Sequence, residues 1–454
     1  MTQSGRTIDI ASLIDSRKMS GFNYKLIILS WLITFFDGFD MMLISYTAPY
    51  IREEFGLTRP ELGNVFSAGL IGMMIGGFLF SYIGDRIGRR STIIVCAFLF
   101  GILTFAMGLA KSYEALVLIR FLDGMAIGGM LPLAWALNTE YVPKRARSTI
   151  VTIIMVGFSL GVSMGAPVTV WLAPHIGWHG VYFCAGAATT LVAALLLWGL
   201  PESVRFLASK QLKPHLIAST LNKLDPSLKA TAQDNFDLGD EKVDTENFKV
   251  SKLFIGDLKW ITPLIWIGYI MSSMAVYFEG SWAPLIYEDL KFSRETSAYV
   301  SSVSNVGSAI LGLLLMRFTD RYGPLMVAIL PLICTPLLII VGLVEMTPTM
   351  FLWTVGIATA ILSGAHFGIL SIASIYYPSA IRANGGGWAT SVAKIGGIAG
   401  PIVGGTLLSS GMPIIQSFAV LAICPIVLTL CAFGIAAIVC KREGSEQVAK
   451  AGTA

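Results

Sequence analysis

The sequence predicts an all-α membrane protein of twelve transmembrane helices in two six-helix bundles, with both termini on the cytoplasmic side. Three observations predict it. The chain has 454 residues, 55% hydrophobic and only 13% charged, with a mean hydropathy of +0.72. A soluble chain keeps roughly a quarter of its residues charged to cover a wet surface. Apolar runs of about 20 residues, each able to cross the hydrocarbon as a helix, recur along the whole length. The Lys and Arg residues, finally, collect between alternate pairs of those runs.

The first six runs fall near 26–50, 62–83, 91–110, 114–138, 149–172 and 180–200. The second six fall near 259–286, 298–318, 324–344, 350–376, 387–409 and 413–440. Backbone polar groups find no water in the bilayer core, so such runs must be helices or strands of a closed barrel. Barrel strands would be shorter and would alternate in polarity; these runs are long and apolar on all sides, which selects helices. The expected organisation is a tail (1–25), an N-terminal bundle (26–200), a polar linker with room for a short amphipathic helix (201–258), a C-terminal bundle (259–440) and a second tail (441–454). The polar, mixed-charge start before a long first run is not the pattern of a cleaved secretory signal. Twelve crossings place 25 of the 32 Lys/Arg on the side of the termini and five opposite, with Arg120 and Lys394 inside helices. That bias puts the termini in the cytoplasm.

The net charge of +4 is small and implies no nucleic-acid partner. The six cysteines lie in or beside apolar runs without metal-ligand spacing, as small hydrophobes do. No glycine-rich loop ends in Lys-Ser/Thr, so neither nucleotide chemistry nor any cofactor is called for, and no enzyme constellation is present.

The halves repeat each other. Gly84-Asp85-Arg86-Ile87-Gly88-Arg89-Arg90 after the second run matches Asp320-Arg321-Tyr322-Gly323 after the eighth. Glu140-Tyr141-Val142-Pro143-Lys144-Arg145-Ala146-Arg147 after the fourth matches Tyr376-Tyr377-Pro378-Ser379-Ala380-Ile381-Arg382 after the tenth. Duplication of this kind belongs to transporters whose halves alternate about a central site.

On these marks the chain resembles the major facilitator superfamily over essentially its whole length, although Ser81 stands where a Gly usually opens the loop motif. The resemblance implies a cytoplasmic gate built from Asp85, Arg86, Arg89, Glu140 and Arg147 and, in the second half, Asp320, Arg321 and Arg382. Pro201-Glu202-Ser203-Val204-Arg205-Phe206-Leu207 resembles a run of the sugar, organic-ion and aromatic-acid branches. Asp37-Gly38-Phe39-Asp40, Arg120-Phe121-Leu122 and Lys394-Ile395-Gly396-Gly397 then resemble the aromatic acid:proton symporters, the group of the bacterial protocatechuate and 4-hydroxybenzoate permeases. Three positions depart from that pattern: Lys394 replaces an Arg, and Asp123 and Glu279 are acidic where neutral residues are expected.

Charges at membrane depth are costly and tend to face a cavity. Asp37 and Asp40, spaced i, i+3, share one helix face; two carboxylates in a poorly solvated site repel, so one is expected to hold a proton. That is the behaviour of a proton carrier, the alternative being a cap or pairing role. Arg120 and Asp123 are also one turn apart, leaving open whether Arg120 pairs with Asp123 or clamps a substrate anion. Lys394 has no acidic residue within a turn and suits a carboxylate. His366 and Glu279 are further candidate contacts, and Trp135 and Tyr277 are candidate ring-stacking residues. The expectation is proton-coupled import of a small organic anion, such as a monocyclic aromatic carboxylate, by a monomer in the bacterial cytoplasmic membrane. A symporter for an aliphatic carboxylate, a sugar or an amine is the alternative.

Overall fold

The computed structural model describes residues 6–238, 250–322, 324–369, 377 and 382–451. The chain opens with a short strand, β1 (Thr7–Asp9), and a helix, α1 (Ile10–Asp15). Long helices follow: α2 (Gly21–Phe55), α3 (Arg59–Ile87), α4 (Arg89–Met107), α5 (Tyr113–Tyr141) and α6 (Arg147–Gly199). Two short helices, α7 (Val204–Ser209) and α8 (Pro214–Leu224), and a strand, β2 (Asn235–Asp237), precede the second set. That set is α9 (Leu258–Asp289), α10 (Arg294–Tyr322), α11 (Ile329–Leu343), α12 (Pro348–Ile369), α13 (Arg382–Leu408), α14 (Gln416–Leu421) and α15 (Ile423–Ala451).

Among the described residues, eleven helices are long and apolar enough to cross a membrane. The difference from the predicted twelve lies in α6. Its 53 residues would run about 80 Å as one rod at 1.5 Å per residue, far beyond a hydrocarbon core of about 30 Å. Gly177, at φ 70° and ψ 165°, interrupts the helix; a side chain resists that region, and glycine enters it freely. The predicted fifth and sixth runs fall on the arms either side of this break.

The chain gathers into two compact units. One comprises Met1–Met41, Ile71–Gly165 and Leu172–Thr245; the other comprises Met42–Leu70, Ala166–Trp171 and Glu246–Ala454. The division cuts through α2, α3 and α6, whose central or outer stretches belong with the second unit.

In the first unit α4 packs along α5, and α2 meets α6 at very close range. A Cβ on Gly161 would stand 1.9 Å from the Phe35 carbonyl oxygen, and one on Gly38 would stand 2.1 Å from that of Phe158. Small residues let membrane helices approach backbone to backbone. Gly161→Val therefore forces the helices apart and lowers stability by about 1–3 kcal/mol, read as a fall in thermal unfolding temperature in detergent. Gly21→Ala, where a Cβ meets nothing within 4 Å, leaves it unchanged.

The segments read as tail and linker fold together. β1 pairs in parallel with β2, Ile8 opposite Phe236. Asp9 caps α1 by accepting the Ser12 amide at 3.1 Å, and α8 turns Ile217, Ala218, Leu221 and Leu224 onto a core that also holds Ile10 and Ile14. Arg17 pairs with Asp225. Burial opposes ionisation there, but the Ser227 hydrogen bonds and Arg17 hold the Asp225 carboxyl below the ordinary carboxylate range.

In the second unit α9 packs along α13 and α15, and α10 along α12. The C-terminal stretch of α2 and the N-terminal stretch of α3 are fastened to these helices. Tyr46 donates to the Ser297 carbonyl at 3.0 Å, Arg59 pairs with Asp289 at 2.7 Å, and Ser67 donates to the Ile398 carbonyl at 2.8 Å. Phe66 meets the Trp282 ring edge-on at 5.5 Å, and the Trp282 indole donates to the Pro401 carbonyl at 3.0 Å.

Candidate functional site

In the first unit, three helices bring together a compact charged cluster. Asp37 and Asp40 stand one turn apart on α2, each only 2% exposed. Gly38 between them lets the α6 backbone close over that part of the helix, which removes water from it. Arg120 and Asp123 stand one turn apart on α5. Arg120 Nη1 donates to Asp40 Oδ2 at 2.5 Å and to Asp123 Oδ2 at 3.1 Å, while Asp123 Oδ1 accepts from Thr104 Oγ1 on α4 at 3.4 Å. Asp37 lies within electrostatic reach of Asp40 and Arg120. Among the described residues, Asp37 Oδ2, Asp40 Oδ1 and Arg120 Nε have no hydrogen-bond partner. Three carboxylates thus surround one guanidinium. If all were ionised, two negative charges would be left over in a site where a buried charge is stable only when paired.

Arg120 thus contacts Asp123, as its spacing allows, and also Asp40 on the neighbouring helix. The second partner was not legible from i, i+3 spacing because it depends on how α2 and α5 pack. Further along α5, the Trp135 indole nitrogen and Asn138 Oδ1 are buried with no hydrogen-bond partner among the described residues. Asn138 Nδ2 donates to Ser30 Oγ at 2.6 Å and the Ala134 carbonyl at 2.8 Å. Asn138 and Ser30 escaped the sequence reading. The signal was a polar stripe on α2, since Ser30, Thr34 and Asp37 recur at helical spacing.

The second unit holds the other candidates on α9, α12 and α13. Glu279 is half-buried, accepts a hydrogen bond from Thr359 Oγ1 at 3.3 Å, and lies within electrostatic reach of Tyr46 and Tyr287. His366 Nδ1 and Ser272 Oγ are 2.9 Å apart. Tyr277 lies against α13, its ring 3.1 Å from where a Cβ on Gly397 would be. Lys394 is half-buried on α13.

The candidate gate of the first unit is an ion-pair network. Arg89, opening α4, pairs with Glu140 near the end of α5 and lies 4.0 Å from Asp85, whose side chain is largely exposed. Glu140 also accepts from Ser203 Oγ. Glu202 accepts the Arg90 amide at 3.0 Å and the Ser203 amide at 2.9 Å. Arg90 donates to the Leu200 carbonyl at 2.8 Å and the Leu197 carbonyl at 2.6 Å, at the end of α6, where free carbonyls and the helix dipole favour a cation. Arg86 lies over the Tyr82 ring at 4.3 Å, and Arg147 donates to the Val142 carbonyl at 3.4 Å. Glu202 and Ser203 join this candidate gate network, although the sequence marked them only as part of a family run. The side chains of Asp320, Arg321 and Arg382 lie outside the described residues. Among the described residues no group of His, Cys, Asp and Glu side chains is arranged to hold a metal ion.

A profile of the Major Facilitator Superfamily matches residues 30–251 and 265–453. The chain is 30% identical to the gallate transporter of Pseudomonas putida over 417 residues, 92% of each chain. It is 31% identical to the 4-hydroxybenzoate transporter PcaK of Pseudomonas putida over 408 residues, covering 90% of this chain and 91% of that one. Among solved structures it resembles a bacterial homologue of the human lysosomal transporter Spinster, in an inward-facing and occupied conformation. The TM-score is 0.70 at 17% identity, over 93% of this chain and 98% of the other; at that identity the likeness concerns the fold alone.

Proposed function

Since the chain belongs to the Major Facilitator Superfamily, we propose that it is a proton-coupled symporter importing a small organic anion, a monocyclic aromatic carboxylate such as a hydroxybenzoate, by alternating access. It is a multi-pass transporter of the bacterial cytoplasmic membrane, and not an enzyme. Twelve crossings in two six-helix bundles (26–200 and 259–440) with cytoplasmic termini belong to the proposal. Two features support them: the broken α6, long enough to cross twice, and the one-sided distribution of Lys and Arg.

The observation that carries proton coupling is the surplus of carboxylates around Arg120. Among the described residues Arg120 alone pairs with these carboxylates, so protons balance the other two, and a group that gains and loses a proton at membrane depth is what coupling requires. Asp37 and Asp40 are assigned that role. A proton loads this pair, substrate binds, and the gate at Asp85, Arg86, Arg89, Glu140 and Arg147 opens, with Asp320, Arg321 and Arg382 as its counterparts in the second half. When two or more protons accompany a monoanion, the membrane potential adds about 2.3 kcal/mol per net charge per 100 mV.

The aromatic acid class rests on the relatives, whose names specify gallate and 4-hydroxybenzoate at about this identity. Lys394 is assigned the substrate carboxylate. His366, Tyr277, Trp135, Glu279, Arg120 and Asp123 are assigned to the rest of the binding site. One observation favours a second reading: no cation pairs with Glu279 among the described residues, and a half-buried carboxylate would suit a substrate bearing an amine.

Uptake of labelled aromatic, aliphatic and amine-bearing acids into proteoliposomes tests both readings. Hydroxybenzoate accumulates when the outside is acidic, and a proton uncoupler abolishes the accumulation. Accumulation that persists with the uncoupler present refutes proton coupling; accumulation of only non-aromatic compounds refutes the substrate class. Lys394→Ala raises the KM for the aromatic acid about 10- to 100-fold, the loss of one charge-assisted hydrogen bond, and an unchanged KM removes Lys394 from the site.

A further inference from the structure

The first unit contains a second feature, beside the candidate gate and sharing Arg86 with it. A cavity of about 480 Å³ opens beside the gate loop where α2, α6 and α8 meet. Lys25, Arg86, Arg90, Lys213 and Lys223 line it, against the single carboxylate Glu202. Glu202 is already occupied by the amides of Arg90 and Ser203, and Arg90 is largely spent on the carbonyls of Leu197 and Leu200. The remaining four cations are exposed, and none belongs to an ion pair among the described residues. Four like charges converging on one cavity repel one another, and an anion relieves that repulsion.

The apolar part of the same cavity indicates which anion. Its wall includes Phe22, Ile87, Trp198, Leu212 and Leu216. Trp198, in the last turn of the membrane-crossing arm of α6, is 81% exposed, and Ile87 is 61% exposed. A Trp at the end of a membrane span marks the interface between hydrocarbon and headgroups. A basic hollow at that depth, continuous with exposed apolar side chains, presents cations to a headgroup and a greasy edge to the chains below it. A free phosphate would satisfy only the first.

We infer that this cavity is a binding site for an anionic phospholipid of the adjoining leaflet, its phosphodiester held by Lys25, Arg86, Lys213 and Lys223 and its acyl chains lying against Trp198 and Ile87. The α7–α8 turn is shaped to present this charge. Lys213 itself is left-handed, at φ 46°, and precedes Pro214 at the start of α8, so the cation sits at a fixed corner. Arg86 belongs equally to the gate loop, and a bound headgroup therefore shares a residue with the gate.

The test uses the full chain purified in detergent and titrated separately with dioleoyl phosphatidylglycerol, dioleoyl phosphatidylcholine and inorganic phosphate. Bound lipid is read by native mass spectrometry and by thermal shift. Phosphatidylglycerol is retained and raises the unfolding temperature; phosphatidylcholine and phosphate at the same concentration do neither. Lys213→Asn with Lys223→Gln leaves the gate and the charged cluster intact, and Asn tolerates the left-handed backbone. The pair weakens phosphatidylglycerol binding about 25-fold, at about fivefold for each basic residue near a lipid surface. Equal retention of the two lipids, equal binding of inorganic phosphate, or unchanged phosphatidylglycerol binding by the variant each overturns the assignment. None of these readouts depends on the transported substrate.

Discussion

Asp37→Asn and Asp40→Asn each abolish accumulation of substrate against its gradient, and they do so with different effects on the fold. One coupled proton moving down one pH unit releases about 1.4 kcal/mol, enough to hold substrate about tenfold above its outside concentration. Without a group that takes up and releases the proton, that ratio falls to about one, although substrate already bound can still exchange across the membrane. The asparagine keeps the shape of the aspartate and removes only its titration. The two sites differ in their partners. Asp40 accepts from Arg120 at 2.5 Å, so Asp40→Asn deprives the guanidinium of a charged partner and lowers the unfolding temperature. Asp37 has an oxygen with no hydrogen-bond partner and belongs to no ion pair among the described residues, so Asp37→Asn breaks no such contact and leaves stability unchanged. Accumulation, counterflow and thermal unfolding measured on the same preparations separate coupling from folding. Wild-type accumulation in both variants removes the assigned role.

The long helices were legible in the sequence because hydrophobicity is a local property: each apolar run predicts its own helix without knowledge of its neighbours. The chemistry of the sites was legible only where spacing along one helix brought residues together. Asp37 with Asp40 and Arg120 with Asp123 were found that way, each as an i, i+3 pair. What joins the pairs is the approach of α2 to α5 that lets Arg120 bond Asp40, and nothing in either helix alone announces it. The same limit hid Thr104 and Thr359, hydroxyls that matter only through the carboxylates opposite them. Glu202 was hidden because its partner amide, at Arg90, lies 112 positions away.

The pairing of the polar segments was not legible for a related reason. The linker alone left room for a short amphipathic helix, and neither it nor the tail carries a sign of the other. Ile8, Ile10 and Ile14 in one and Ile217, Leu221 and Leu224 in the other make a core only when combined. In α6 the opposite happened: the sequence separated two runs at the loop residues around His175 to His179, and the structure keeps helical hydrogen bonding on both sides of one glycine. The break is conformational, at Gly177, and not compositional.

Arg120→Met is expected to be the most damaging single change in the protein, and its damage should depend on pH. The substitution keeps much of the side chain's length and apolar contact while removing the one cation that, among the described residues, Asp40 and Asp123 share. Removing one partner of a buried ion pair costs about 3–5 kcal/mol, because the charge left behind has neither water nor a counterion. Here two carboxylates are left, with Asp37 close to them, so at neutral pH the upper end of that range applies and uphill uptake is lost. The sign with pH follows from the state of those carboxylates. As pH falls they protonate, the stranded negative charge disappears, and the gap in unfolding temperature between Arg120→Met and the unmodified chain narrows. Arg120→Lys keeps the charge but loses the rigid guanidinium that places Nη1 between two carboxylates, and should lie between them. Combining Arg120→Met with Asp40→Asn and Asp123→Asn removes the charges that the guanidinium neutralised and restores a large part of the stability without restoring transport. A variant Arg120→Met as stable as the unmodified chain at neutral pH, or a gap that widens on acidification, would show that Arg120 does not hold the acidic cluster together, and the surplus negative charge from which proton coupling was argued would have to be balanced elsewhere.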